Sequence, residues 1–287
     1  MYSVRAVVDA WGGLARRDQI LAAGPSGTDI TAAVRRGEVR RVRRAHYASP
    51  LATPDAVTAV RIGGRLAGVS AARSHGLWAG FDERLHVVVP VDASRLRIVR
   101  ANGTARPDIG EREVIVHWRG TEDARECWRP TVLDTLRQVA AWADQETAMA
   151  TLDTALDLGV VSRLQLVRAF AAEPAASRAR AAAAEPGSGS GYESIVVRRL
   201  RSRGLHVVQQ VTVAGVGRID AQIEGSLLLE IDGAEFHGTA AAYEADRRRD
   251  AGLTARDLRF IRVSTRRIRH DWPGCLADIL AALHHRR

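Results

Sequence analysis

The feature that most constrains the fold is a pair of β-favouring runs in the last third of the chain, between Arg218 and His237. The two runs are separated by Gly225-Ser226, a dipeptide that is typical of the turn in a β-hairpin. Side chains alternate between the two faces of a strand, so every second residue shares a face. One face of the second run is apolar and requires a core: Leu227, Leu229 and Ile231. The stretch therefore predicts a hairpin that packs against a core on one side.

The opposite face of the second run is acidic. Glu230 and Asp232 share it with Leu228, and Asp220 can meet them from the first run. Clustered carboxylates repel one another unless a cation lies between them. Oxygen ligands of this kind suit Mg²⁺, which takes one or two carboxylates and keeps several waters. A simpler interpretation stays open, because Asp232-Gly233 is also an ordinary turn dipeptide and acids at strand ends are commonly solvated.

The elements predicted around the hairpin follow the order helix, strands, helix, strand, helix. A helix is predicted over residues 191–200, with Glu193 in its first turn. Further helices are predicted over residues 240–255 and 275–283, on either side of a strand over residues 259–263. This order predicts a mixed α/β domain at the end of the chain.

This arrangement resembles the PD-(D/E)xK nuclease core, and within it the branch similar to very-short-patch-repair endonucleases. The resemblance covers residues 191–285 and implies a restriction-endonuclease-like αβββαβ core. The matching positions are Glu193, Asp220, Glu230, Ile231, Asp232, Gly233, His237, Asp246, Arg249, Asp250 and the strand over 260–263.

The resemblance implies a DNA endonuclease that depends on Mg²⁺ or Mn²⁺. In this interpretation Asp220 and Glu230 bind the metal with the carbonyl of Ile231. Glu193 reaches the same site directly or through water. Asp232 holds a second metal or orients the attacking water.

Three further residues have roles that the resemblance suggests. His237 serves as a general acid or base, or else it only holds the turn after Asp232. Arg247 and Arg248 lie on the helix that follows and face phosphate or solvent.

Two departures from the family pattern favour an alternative function. The family name implies a lysine two positions after the motif's acid, but Asp232 stands there. The chain contains no lysine, so all 42 residues of the Lys+Arg count are arginines. His237 is followed by Gly238, where relatives often carry a second histidine. The alternative is a catalytically inactive DNA-binding regulator or antitoxin of a toxin–antitoxin system.

The first 50 residues predict a winged helix-turn-helix. Helices are predicted over residues 4–11 and 15–23, followed by a third that Thr28 caps and an Arg-rich two-stranded wing over residues 38–47. This pattern resembles the N-terminal domain of AbiEi-type abortive-infection antitoxins, in which the domain binds DNA. A third helix can enter the major groove while wing arginines neutralise phosphates. The candidate contacts are Thr31, Arg35, Arg36, Arg40, Arg41, Arg43 and Arg44. The alternative interpretation is that these arginines only form a solvated surface.

The sequence thus predicts a multidomain protein of α+β and α/β type. A winged helix-turn-helix spans residues 1–50, and a mixed helical and strand domain spans residues 51–172, with strands over 85–90 and 114–118. Residues 173–191 form a linker whose Gly/Ser part is predicted to be flexible. The nuclease domain spans residues 192–287. His75, His86 and His117 lack ligand-like spacing and are interpreted as packed or surface histidines.

Overall charge indicates an anionic partner. The formal net charge is +9 and the isoelectric point is about 10.8, which favours nucleic acid, here DNA. Genome composition could produce the same excess of arginine. Cys127 and Cys275 lie far apart, which excludes a disulfide scaffold and fits a reducing cytosol, with association to the nucleoid. A cognate toxin or repair protein is a further expected partner, and no membrane is expected.

Overall fold

The computed structural model describes residues 3–101, 104–107, 113–120, 125–233 and 258–284. The chain divides into two compact units. The first contains residues 1–145 and 164–179, and the second contains residues 146–163 and 180–287. Each unit therefore combines two separate stretches of chain. The domain boundaries predicted at residues 50, 172 and 191 stay predictions.

Six short elements form the N-terminal part of the first unit. The strands make an antiparallel sheet in the order β1-β3-β2, and the apolar stripes of the three helices share one core with Ala15 and Val39. Strand β1 was not predicted, because the predicted second helix included Ala15 and Arg16, the last two residues of this strand. The elements are α1 (Val4–Ala10), β1 (Leu14–Arg16), α2 (Arg17–Ala22), α3 (Gly27–Arg35), β2 (Arg40–Arg43) and β3 (His46–Ala48).

Helix α3 begins at a different residue from the one predicted. Ser26, not Thr28, is its N-cap. The Asp29 amide donates to Ser26 Oγ at 3.2 Å, and the Ser26 amide donates to the Asp29 carboxylate at 2.8 Å. This reciprocal capping box satisfies two backbone donors, whereas a cap at Thr28 would satisfy one.

The next part of the chain alternates helices with a small sheet. The sheet has the order β4-β5-β8, with β5 and β8 parallel, so the two strands predicted in this region are confirmed. A separate antiparallel pair, β6 and β7, lies between them in sequence. The elements are α4 (Pro54–Ile62), β4 (Arg65–Leu66), α5 (Gly68–Ser74), β5 (Leu85–Val89), β6 (Ile98–Ala101), β7 (Thr104–Pro107), β8 (Val114–Trp118), α6 (Val132–Trp142), α7 (Gln145–Asp157), α8 (Arg163–Phe170) and α9 (Ala175–Ala183).

The second unit is built on a four-stranded sheet of order β12-β11-β10-β9. Among the described strands of this sheet, β11 and β12 are the parallel pair and the other two pairings are antiparallel. The helix predicted over residues 240–255, between these two strands in sequence, lies outside the described residues. One face of the sheet packs against the helices through Ile223, Leu229 and Ile279. The elements are α10 (Gly191–Arg201), β9 (Val207–Val213), β10 (Gly217–Ile223), β11 (Leu227–Asp232), β12 (Arg259–Ser264), α11 (Thr265–His270) and α12 (Trp272–His284).

The turn of the β10–β11 hairpin is centred one residue earlier than predicted. Glu224 and Gly225 have φ angles of 49° and 62°, and the Ser226 amide donates to the Ile223 carbonyl at 3.1 Å. Two central residues with positive φ match the twist of a hairpin. Glu224 accepts the left-handed conformation, and its carboxylate receives the His206 amide at 2.6 Å.

A buried aspartate organises the helices of the second unit. Asp153 on α7 is 1% exposed and receives Nε and Nη2 of Arg198, each at 2.8 Å. It also receives the Ser194 hydroxyl at 2.6 Å and the Glu185 amide at 2.8 Å. Four donors therefore compensate one buried carboxylate, as a buried charge requires.

The segment predicted as a flexible linker is held by hydrogen bonds. Residues 175–183 are helical, the Gly187 amide donates to Asp157 at 3.0 Å, and Gln209 contacts the buried Ser188. The Gly/Ser composition suggested an open tether because glycine and serine carry no apolar side chains. The contacts that order the segment come from residues distant in sequence.

Limited proteolysis with elastase is expected to cleave wild-type residues 184–191 no faster than the loops elsewhere in the chain. Asp157→Ala removes the acceptor of the Gly187 amide and is expected to increase the cleavage rate there several-fold. Mapping the first fragments by mass spectrometry measures this. Immediate cleavage of the wild-type segment would restore the flexible-linker interpretation.

Candidate functional site

The β10–β11 hairpin brings Asp220 to the point where its ladder ends. The register pairs Ile223 with Leu227 and Ala221 with Leu229. At the next position the Ile231 amide donates to Asp220 Oδ2 at 2.8 Å. A side-chain carboxylate thus takes the place of a backbone acceptor, which fixes Asp220 against the neighbouring strand.

Glu193 lies within electrostatic reach of Asp220. It is in the first turn of α10, and its Oε2 receives the Gly189 amide at 2.9 Å and Gln210 Nε2 at 2.6 Å. Burial raises the pKa of the Glu193 carboxyl, and the negative charge of Asp220 raises it further. The hydrogen bonds to Ser190, Gly189 and Gln210 act in the opposite direction. Two acids therefore share a partly dehydrated region, which is a place where a cation would relieve repulsion.

Gln210 is a part of this region that the sequence analysis missed. Its φ angle is 52°, which a non-glycine residue rarely adopts. Its Oε1 is buried and has no hydrogen-bond partner among the described residues. A buried acceptor left this way calls for a group from outside the chain, such as water or an ion. The signal in the sequence was the doubled Gln209-Gln210, which interrupts the alternation of a strand rich in valine.

Glu230 is held by Arg262, a second residue that the sequence analysis missed. The parallel register places Arg262 of β12 directly beside Glu230 of β11. Arg262 Nε donates to Glu230 Oε2 at 2.8 Å, and the two side chains are 21% and 7% exposed. Burial of this pair makes it costly to remove one partner, about 3–5 kcal/mol for pairs of this kind.

The remaining predicted site residues fall into two groups. Ile231 is half-buried at the end of β11, and Asp232 is exposed beside Ser264. His237, Arg247 and Arg248 lie outside the described residues, as do Asp246, Arg249 and Asp250. Among the described residues, Glu193 thus lies within electrostatic reach of Asp220, and Glu230 forms an ion pair with Arg262.

The donor atoms around Asp220 suit a hard divalent cation. Among the described residues no three His, Cys, Asp or Glu side chains form a group that could hold a metal ion. Two carboxylates with an unsatisfied amide oxygen nevertheless match Mg²⁺, which needs few protein ligands because it keeps its waters. Glu193 and Asp220 would hold the ion, with Gln210 beside it.

The candidate nucleic-acid residues of the N-terminal part lie mainly at the surface. Thr31 and Arg35 are exposed on α3, and the Thr31 hydroxyl donates to the Gly27 carbonyl at 3.0 Å. Arg36 is exposed and pairs with Glu38 at 2.7 Å, which offsets part of its charge.

The arginines of β2 and of the turn that follows it separate into two kinds. Arg40, Arg41 and Arg44 are exposed. Arg43 instead donates from Nη1 to the carbonyls of Arg61 and Ile62, at 3.2 and 2.8 Å. Burial lowers the pKa of the Arg43 guanidinium. An irregularity in the β2–β3 register between Arg41 and Arg43 accompanies this turn of the side chain. Arg43, predicted to contact DNA, therefore caps the end of α4.

Two histidines of the first unit come together. His117 Nε2 lies 3.1 Å from His86 Nδ1, and His86 Nε2 lies 3.0 Å from the Asp82 carboxylate. His117 also stacks on Trp142 with ring centres 3.8 Å apart. Burial and, to a smaller extent, the neighbouring His86 together lower the pKa of His117 to about 4. These contacts agree with the interpretation of both as packed histidines.

Acidification is expected to destabilise the first unit through His117. The unfolded chain binds a proton near the ordinary pKa of 6.5, whereas the folded protein binds it only near pH 4. The contribution of His117 to stability is therefore complete above about pH 7 and decreases as the pH falls from about 6.5 to about 4. Thermal unfolding of wild type and His117→Phe across this range measures the effect. The variant, which can still stack on Trp142, should show the shallower dependence, and equal slopes would contradict the prediction.

Comparison with known proteins bears on the second unit. The family model REase_MTES_1575, a restriction endonuclease-like family, matches residues 192–283. The match begins in α10 and ends in α12, so it covers Glu193, Asp220, Glu230 and Arg262. No curated protein matches the chain. The C-terminal part is thus a restriction-endonuclease-like domain. Within the described ranges, every helix is too short or too polar to cross a membrane.

Proposed function

We propose that this protein is a metal-dependent DNA endonuclease that a winged helix-turn-helix directs to its substrate. The observation that carries the proposal is the position of Glu193 inside the restriction-endonuclease-like domain, where Gln210 Nε2 holds its carboxylate at 2.6 Å within electrostatic reach of Asp220. Carboxylates that lie close together despite their mutual repulsion are expected where a cation binds. We propose that the domain belongs to the branch similar to very-short-patch-repair endonucleases, because Glu193, Asp220, Glu230 and Asp232 stand at the positions of that resemblance.

The chain's own residues have defined tasks in this reaction. Glu193 and Asp220 hold Mg²⁺ or Mn²⁺ through carboxylate oxygens, and Gln210 Oε1 accepts a hydrogen bond from water in the site. A bound ion of this kind polarises the scissile phosphate and lowers the pKa of water. Asp232 at the exposed end of β11 orients the attacking water or takes part in a second metal site. His237 acts as a general acid or base.

The N-terminal elements supply DNA affinity. We propose that residues 1–50 form a winged helix-turn-helix, on the order helix, strand, helix, helix, strand, strand and on the three-stranded sheet. In this proposal α3 enters the major groove with Thr31 and Arg35 toward the bases. Arg40, Arg41 and Arg44 contact phosphates, and the net charge of +9 favours the association.

A second candidate function is a DNA-binding regulator or antitoxin that has lost catalysis. The observation in its favour is the Glu230–Arg262 pair, because a carboxylate committed to a guanidinium is a poorer metal ligand. A cognate toxin or repair protein would be the expected partner in this case.

Incubation with supercoiled plasmid distinguishes the two functions. Purified full-length protein is mixed with plasmid in the presence of Mg²⁺, Mn²⁺ or a chelator, and the products are separated by electrophoresis. An endonuclease gives nicked or linear plasmid that chelator prevents. Retarded but intact plasmid under all conditions would reject the endonuclease and support the regulator. Glu193→Gln serves as the control for a contaminating nuclease.

A further inference from the structure

A cavity of about 190 Å³ in the first unit is lined by basic side chains. Its wall takes residues from strands β1 to β5 and from the end of α4. Among the described residues that line it, none is a carboxylate, and the basic ones are Arg16, Arg43, His46 and Arg65. Positive charges gathered in a recess raise the local concentration of anions. The cavity is therefore a candidate anion site, in a unit that the nuclease family model does not match.

Arg43 is a half-buried guanidinium that has no carboxylate partner within the described ranges. Its Nη1 donates to the carbonyls of Arg61 and Ile62, and Nε and Nη2 keep their hydrogens for another acceptor. A carbonyl oxygen carries no formal charge, so these bonds leave the positive charge in place. Burial and, to a smaller extent, the charge of Arg97 lower the pKa of Arg43. An anion beside the guanidinium would oppose both effects.

Arg16 and His46 add further nitrogen atoms to the same cavity. Arg16 Nε pairs with Asp18 at 3.2 Å, but the side chain of Asp18 is 68% exposed, so the pair is weak and screened by salt. His46 Nδ1 donates to the Arg44 carbonyl at 2.9 Å, because a carbonyl can only accept. His46 Nε2, which also donates in the imidazolium form, has no partner among the described residues.

The fold fixes the positions of the three guanidinium groups. Gly63, the C-cap of α4, has a φ angle of 119°, and a side chain there would collide with Arg43 Nη1. The charges of Arg16 and Arg65 both act on the buried thiol of Cys127, where they oppose the rise in pKa that burial causes. Three arginines on β1, β2 and β4 thus line one cavity. Such an arrangement is preorganised for an anion with more than one charged oxygen.

The size and the walls of the cavity indicate the class of ligand. A single water needs about 10–15 Å³ of such space, and pockets for drug-sized ligands measure about 300–1,000 Å³. A cavity of about 190 Å³ therefore suits a small molecule. The planar fork of a guanidinium matches phosphate oxygens. Val60, Val88 and Pro90 supply an apolar wall for a short organic group.

We infer that this cavity binds the phosphate group of a small phosphate monoester, which Arg16 and Arg43 contact directly. A phosphate of the DNA backbone has the same chemistry, but the exposed Arg41 and Arg44 are the ones that an extended duplex can reach. Arg43, half-buried between them, faces the recess. The inference is independent of the proposed endonuclease function, because every residue that it uses lies in the first unit.

The first test measures binding of glycerol 3-phosphate to the full-length protein by calorimetry in a buffer free of phosphate. Wild type should bind one molecule per chain and should not bind glycerol, which lacks the phosphate. Arg16→Gln and Arg43→Gln should each weaken the affinity about 10- to 100-fold, as loss of a charged hydrogen-bond partner does. Arg17→Gln is the matched control, because Arg17 is exposed and does not line the cavity. It should change the affinity less than about twofold, since exposed charges are screened.

The second test separates a phosphate contact from a structural role. Arg43→Gln also removes the cap of α4, whereas Arg16→Gln leaves that cap intact and therefore decides the question. Glycerol 3-phosphate should raise the melting temperature of wild type, because a ligand that binds only the folded state stabilises it. It should have no such effect on Arg16→Gln at the same concentration, although this variant without ligand should melt close to wild type.

The third test distinguishes a small ligand from the DNA backbone. In anisotropy titrations at constant ionic strength, saturating glycerol 3-phosphate should not displace a labelled duplex, and Arg16→Gln should keep the salt slope of wild type. Displacement together with a loss of about 0.9 in the slope would assign the cavity to a DNA phosphate and overturn the inference. Wild type that does not bind glycerol 3-phosphate, or Arg16→Gln that binds it equally well, would also overturn it.

Discussion

Replacement of Asp220 by alanine is expected to abolish metal-dependent DNA cleavage while DNA binding is kept or strengthened. The expected loss in rate is about 1,000-fold or more, because removing a metal ligand removes several kcal/mol of transition-state stabilisation. Binding should not weaken, since the substitution also deletes a negative charge that repels phosphate. Initial rates on supercoiled plasmid and fluorescence anisotropy on a labelled duplex measure the two effects.

A matched variant distinguishes the loss of a metal ligand from a defect in folding. Asp220 also accepts the Ile231 amide, so alanine leaves that donor without its partner. Asp220→Asn keeps an acceptor oxygen for the amide and removes the charge. Both variants should be inactive if the carboxylate serves the metal. Asp232→Ala, at the exposed end of β11, should lose less activity if Asp232 only orients water. Cleavage by Asp220→Asn at the wild-type rate would remove Asp220 from the mechanism.

Replacement of Arg40, Arg41 and Arg44 together by glutamine is expected to weaken DNA binding about 100-fold near 0.15 M salt, because each lost phosphate contact reduces the salt slope by about 0.9. The plot of log K against log salt should therefore become shallower by about 2.7 for the three residues. Anisotropy titrations between about 0.05 and 0.3 M salt measure both quantities. An unchanged slope would leave these arginines as a solvated surface.

Arg43 provides the control within the same segment. Its guanidinium donates to the carbonyls of Arg61 and Ile62, so Arg43→Gln should lower the melting temperature. The salt slope of DNA binding should stay within experimental error of wild type. A loss of slope as large as that from Arg40, Arg41 or Arg44 would show that Arg43 reaches DNA.

The parts of this fold that sequence could predict are those that short-range rules decide. Strand alternation was sufficient to place the β10–β11 hairpin, and the helix that carries Glu193 was predicted because its start signal and apolar stripe are local. The turn moved by one residue because a glutamate accepted a positive φ that sequence rules reserve for glycine and asparagine. Its carboxylate bonds to His206, a contact that local rules do not consider.

The parts that sequence missed depend on pairings between distant residues. Arg262 lies on a predicted strand, but its position beside Glu230 follows from a parallel register that residue spacing does not specify. Gln210 belongs to the site because α10 brings Glu193 within hydrogen-bond distance of it, which the local sequence does not specify. The cap that Arg43 forms on α4 is a tertiary contact of the same kind, and the local sequence does not distinguish Arg43 from the neighbouring arginines.

The buried Asp153 also limits where recombination could separate the restriction-endonuclease-like domain from the rest of this chain. Its partners Ser194 and Arg198 belong to the segment that matches the nuclease family, whereas Asp153 lies before that segment. A recombination event in the Gly/Ser codons would deliver Arg198 to a new protein without its carboxylate. Loss of one partner from a buried pair costs about 3–5 kcal/mol, a large share of the ~5–15 kcal/mol that keeps a domain folded. A transferred segment that keeps the restriction-endonuclease-like domain together with Asp153 therefore has to begin at or before α7.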